Sequence, residues 1–138
     1  MHFILYADGG SRGNPGPAGA GALVKDEEGT QVVTVSEFLG NTTNNIAEYT
    51  ALLRALEGLV SLLGEASGGA FVEARLDSQL VVRQMNGEYK IKHPNIVPLA
   101  AKVKEVVRSF KSVSFTHVYR EDNKEADALA NEAMDRGH

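Results

Sequence analysis

The chain has 138 residues, 43% of them hydrophobic and 23% charged, with no Cys and a formal net charge of −4. That length suits one domain, residues 1–138, with a single sizeable core. The lack of Cys excludes disulfides and thiolate metal sites and fits a reducing, cytoplasmic setting; no apolar run reaches the ~18 residues of a membrane span; and 14 Lys plus Arg against 18 Asp plus Glu argue against a tight, strongly basic nucleic-acid binder.

The opening MHFILYADGG is short and has no basic flank, so it is expected to be a strand and not a signal peptide. Phe3 to Asp8 is a nearly continuous apolar run, as in a central strand buried on both faces. GGSRGNPGPAGAG then reads as a tight Gly/Pro turn, with strand resuming from Gly21 to Lys25. Two glycines after Asp8 suggest a backbone bulge that a substrate can approach closely. Asn14-Pro15-Gly16 is good turn chemistry, and Asn14 could equally offer its amide to a phosphate or a base edge. Asp26 to Gly29 forms a hairpin loop, and Thr30 to Leu39 is a third strand rich in Val and Thr.

The strongest helix follows. Ile46, Tyr49, Leu53, Leu56, Val60 and Leu63 recur every three or four residues as one apolar stripe, with Thr42 or Thr43 to cap its start and Gly64 to end it. Ser67-Gly68-Gly69 is a loop, Phe71 to Asp77 a strand, and Ser78 to Met85 a short helix stopped by Asn86-Gly87. Glu88 to Pro98 looks irregular, Leu99 to Phe110 is helical, Val113 to Tyr119 is a strand, and Asn123 to Arg136 a closing helix. The last two strands each follow a helix, so right-handed crossovers add them parallel. The expected fold is α/β: a five-stranded mixed sheet with helices on both faces.

Four acids stand out in this frame. Asp8 and Asp77 each end a strand, while Glu48 and Asp127 lie in the opening turns of helices. Asp8 and Asp77 would meet at the carboxyl edge of neighbouring parallel strands, where open α/β sheets place their sites. Four carboxylates in one pocket repel, and two divalent cations relieve that repulsion, which points to metal-assisted phosphodiester chemistry. Blander readings exist for each acid alone: a turn for Asp8, a capping box with Asn45 for Glu48, a strand ending at a helix cap for Asp77-Ser78, and a dipole-favoured first-turn acid for Asp127. His117 reads as a packed or edge histidine, and Arg120 by itself as a surface residue. Asn44-Asn45 in a first helical turn is unusual, because such amides are poor interior residues but good donors toward anions or 2′-hydroxyls.

Taken together, YADGGSRGNPGPAG, TTNNIAEY, DSQ and ADALAN closely resemble the type 1 ribonuclease H family over essentially the whole chain. The resemblance implies the ribonuclease H-like fold with strand order 3-2-1-4-5, and an endoribonuclease that cuts the RNA strand of RNA–DNA hybrids with two Mg²⁺ or Mn²⁺ ions. It implies metal ligation by Asp8, Glu48, Asp77 and Asp127, with Asp8 bridging both ions, and substrate contacts from Asn14, Asn44, Asn45 and Gln79. Thr43 and Asn14 match part of a pocket for a DNA-strand phosphate. One ion would activate water and the other stabilise the leaving 3′-oxygen, giving 5′-phosphate and 3′-hydroxyl ends.

Two departures stand out. Where many relatives carry a mobile His before the last acid, this chain reads VYREDNKEAD, as in compact, archaeal-like members, with Arg120 near the scissile phosphate. The basic protrusion of some relatives is missing, and only Lys90, Lys92 and His93 remain. The expected enzyme is a monomer with weak, salt-sensitive affinity for its hybrid. Rival readings are a polynucleotidyl transferase or junction nuclease, and a silent nucleic-acid-binding domain.

Overall fold

A computed structural model describes residues 1–138. Its strands are β1 (His2–Ser11), β2 (Gly16–Lys25), β3 (Gln31–Thr42), β4 (Phe71–Leu76) and β5 (Ser112–His117). Its helices are α1 (Asn44–Leu63), α2 (Gln79–Met85), α3 (Val97–Val107) and α4 (Lys124–Arg136). The sheet runs β3-β2-β1-β4-β5, with β1 antiparallel to β2 and parallel to β4, and β5 parallel to β4.

Alternation along β1 separates two faces. Phe3, Leu5 and Ala7 are buried beneath α1, whose Tyr49, Leu52, Leu56 and Leu59 complete the main core with Val103 of α3. Each such apolar side chain contributes about 1.5–3 kcal/mol on burial. The apolar face of α1 is wider than the stripe expected, because Leu52, Ala55 and Leu59 are fully buried beside it. Thr43 caps α1, its Oγ1 accepting the Ile46 N–H at 3.3 Å, and Gly64 ends it at φ 55°.

The opposite face carries α4, packed over β2, β1 and β3. Its buried residues are Ala126, Ala130 and Ala133, and a Cβ at Gly21 would collide with the main chain at Ala126 and Ala130. Small residues on both sides bring helix and sheet close enough to place α4 side chains at the sheet edge.

The main departure from expectation is the glycine-rich segment. Strand runs on through Ser11 and restarts at Gly16, so the turn is confined to residues 12–15. No bulge follows Asp8: Asp8, Gly9 and Gly10 pair in unbroken register with Gly21, Ala20 and Gly19. These glycines sit in strands because helices press against them. Smaller differences are a 3₁₀ turn at Gly64–Gly69 in place of a loop, and α3 beginning at Val97 with Pro98 in its first turn.

Candidate active site

The parallel pairing of β1 with β4 ends at Ala7 and Leu76, so Asp8 and Asp77 are the next residues along two adjacent strands. Glu48 arrives from the second turn of α1, and Asp127 from the first turn of α4. All four acids line one cleft of about 680 Å³, walled by Gly9, Gly10 and Ser11 on one side and Ala130, Asn131 and Met134 on another. The sheet edge therefore gathers acids that are up to 119 residues apart in sequence, counting from Asp8 to Asp127.

The electrostatics follow from that crowding. Burial raises the Asp8 carboxyl to about 8, helped by the Asp77 charge, by hydrogen bonding with the Asp127 carboxyl, and by the charges of Asp127 and Glu48. Burial also raises Glu48 to about 7; the neighbouring Ser78 hydroxyl opposes the rise and Asp77 adds to it. Glu48 Oε2 is buried with no hydrogen-bond partner. No Lys or Arg forms a salt bridge to any of the four. A cluster of oxygen donors, one of them orphaned, fits hard divalent cations. As the side chains stand, no three of them are placed to hold one metal ion between them.

A second cavity of about 400 Å³ shares Asn44 and Glu48 with the first, and adds Asn14, Thr43, Asn45, His93 and Ile96. Its polar groups are pre-set. Asn14 Oδ1 accepts the Asn44 N–H at 3.1 Å, and Asn44 Oδ1 accepts the Ser11 N–H at 2.8 Å and the Ser11 hydroxyl at 3.1 Å. With the amide oxygens engaged, the Asn14 and Asn44 NH₂ groups remain as donors. Thr43 acts as the helix cap, so the capping box once conceivable between Glu48 and Asn45 is not formed.

One expected site residue stands apart: Gln79 is exposed at the first position of α2, outside both cavities. Arg120, an exposed residue of the 3₁₀ turn Arg120–Asp122, lines the acidic cleft with the four acids. Arg120 forms no salt bridge with Glu121, Asp122 or Glu125. His117, read from sequence as a packed or edge residue, lines the acidic cleft, with its ring edge-on to Tyr119 at 5.6 Å. Its position at the end of a parallel strand, opposite Leu76, was the available signal. His93 in the second cavity came without one.

Residues 6–133 match the family model described as reverse transcriptase-like. A bifunctional protein of Mycobacterium tuberculosis is 41% identical over 136 residues, which are 98% of this chain and 36% of that protein. The chain thus spans about a third of the length of the mycobacterial relatives it matches. The RNase H1 of Halobacterium salinarum is 40% identical with a TM-score of 0.89, covering 99% of both chains. LC11-RNase H1 from compost, solved in complex with an RNA/DNA hybrid, is 46% identical with a TM-score of 0.91, covering 97% of both chains.

Proposed function

The chain belongs to the type 1 ribonuclease H family, and on that premise we propose that it is an endoribonuclease that hydrolyses the RNA strand of RNA–DNA hybrids, leaving 5′-phosphate and 3′-hydroxyl ends. The observation that carries the reading is the set of four carboxylates lining one cleft at the sheet edge, adjoining a cavity that holds the side-chain amides of Asn14, Asn44 and Asn45. The solved hybrid complex of LC11-RNase H1 supports the substrate class.

Asp8, Glu48, Asp77 and Asp127 would hold two divalent cations, Mg²⁺ or Mn²⁺. Bound there, the ions would supply Lewis-acid polarisation of the phosphoryl group and ready deprotonation of water. The protein's own groups do the rest. Asp8 and Glu48, whose burial favours the protonated form, would hold cations as carboxylates and so release those protons on binding. Thr43 and Asn14 take a DNA-strand phosphate, Asn45 contacts the hybrid's minor groove, and Asn14, Asn44 and Gln79 read 2′-hydroxyls there, which lets the enzyme tell RNA from DNA. Arg120 contributes a cation at the cleft rim toward the scissile phosphate.

The same proposal takes residues 1–138 as one domain acting as a monomer in the cytoplasm; no helix is long and apolar enough to cross a membrane. The test is a gel assay on one sequence prepared as hybrid, RNA duplex and DNA duplex, with Mg²⁺ or with EDTA. Mg²⁺-dependent loss of the hybrid's RNA strand alone is the expected result. Equal cleavage of hybrid and DNA duplex would instead favour a junction nuclease, and no cleavage of any substrate a silent binding domain.

A further inference from the structure

Asn123 occupies the position before α4 where an asparagine side chain ordinarily caps the helix, yet it makes no side-chain capping bond. Its Nδ2 reaches back across 116 residues and donates to the Ala7 carbonyl at 3.0 Å. That carbonyl belongs to the peptide joining Ala7 to Asp8. The main-chain carbonyl of Asn123 meanwhile accepts the Asp127 N–H at 3.1 Å. One residue therefore holds the peptide of Asp8 with its side chain and the peptide of Asp127 with its main chain.

Two further observations separate this from a simple structural bond. Ala7 is the last β1 residue paired with β4, so the peptide leading into Asp8 lies where the parallel ladder stops. Asn123 is also 1% exposed, and its Oδ1 is buried with no partner. A half-satisfied buried amide costs stability compared with an apolar side chain of the same shape. Its presence fits a demand of geometry better than a demand of stability.

Resting on the function proposed above, we infer that Asn123 is a positioning residue that sets the separation of Asp8 and Asp127. Both side chains line the acidic cleft, Asp8 carried by β1 and Asp127 by α4. Small displacements matter at such a site, because misplacement by about 1 Å can cost roughly a hundredfold in rate. Asn123 itself lines neither the acidic cleft nor the cavity of Asn14, Thr43, Asn44 and Asn45.

The test compares Asn123→Leu, which keeps the shape and loses the donor, with Asn123→Ala and with Val103→Ala in the buried face of α3 as a stability control. Readouts are steady-state cleavage of a hybrid and the Mg²⁺-induced rise in melting temperature without substrate. The expected result for Asn123→Leu is a melting temperature lowered no further than in Val103→Ala, since the Ala7 carbonyl loses its donor, with kcat lowered roughly tenfold or more, KM nearly unchanged and a smaller Mg²⁺-induced rise. Val103→Ala should melt earlier and keep its kcat. The inference is overturned if Asn123→Leu stays within about twofold of parental kcat, or loses no more than a control variant of equal stability. If Asn123→Ala does not fold, the leucine variant decides. An inactive parent would undo the functional reading instead, and the Mg²⁺-induced melting shift would still test Asn123 by itself.

Discussion

The main chain of Gly9 lies directly against the main chain of Ala47, with no room for a methyl group between β1 and α1. This contact sets how far Glu48, the next residue of α1, reaches toward Asp8.

Gly9→Ala should therefore damage both the fold and the site. Backbone has to move to admit the methyl group, and overpacking of this kind costs ~1–3 kcal/mol or more. Urea denaturation should place the loss at the upper end of that range, and hybrid cleavage should fall more than stability alone explains. Parental stability in the variant would contradict the contact.

Asp8→Asn and Asp77→Asn should each reduce Mg²⁺-dependent cleavage to background while leaving the protein folded. Each removes one member of a repulsive cluster, so the metal-free melting temperature should hold or rise near neutral pH. Near-normal rates at saturating Mg²⁺ would sink the assignment.

Stability without metal should fall as pH rises. Asp8 and Glu48 move up from ordinary values of 3.8 and 4.5 to about 8 and about 7. The folded chain therefore holds protons between about pH 4 and 8 that the unfolded chain has released. Their contribution to stability is complete below about pH 4 and is lost as pH climbs through 7 and 8. Thermal melts in EDTA between pH 5 and 8 should show the decline, with a flatter profile in Asp8→Asn. Mg²⁺ should raise the melting temperature more at pH 8 than at pH 5, because it needs the ionised carboxylates. Equal Mg²⁺ effects at both values would count against the carboxylates as its ligands.

Arg120→Ala should lower kcat strongly, roughly a hundredfold if its guanidinium acts on charge developing at the phosphate, with little change in metal binding. Arg120→Lys should recover only part, since it lacks the planar fork. The side chain is exposed and has no salt-bridge partner, so its loss should scarcely move the thermal melt. Steady-state rates within about twofold of the parent would leave Arg120 without a catalytic role.

Much of this molecule was legible in the chain itself. The nearly continuous apolar run ending at Asp8, the helical stripe from Ile46 to Leu63, and the alternation of strand and helix after it specify the element order, and the right-handed crossover rule does the rest. Side-chain periodicity and backbone sterics act over a few residues, so they leave a local signature. The meeting of the four acids was legible in part for the same reason: Asp77 follows a strand and Glu48 and Asp127 lie in the opening turns of helices, whereas Asp8 sits inside β1 and not at its end, just past the point where the pairing with β4 stops.

What only the tertiary structure decided is what depends on separate segments meeting. The glycines after Asp8 looked like a turn or a bulge, because sequence reports their freedom but not the helices packed on them. His117 looked ordinary until β5 was set beside β4, which places it in the lining of the acidic cleft. Asn123 read only as the first residue of the closing helix, and its amide is committed to Ala7 at the other end of the chain. Local propensity follows from neighbours in sequence, whereas the reach of a side chain across 116 residues follows from the close packing of α4 on β1 and β2.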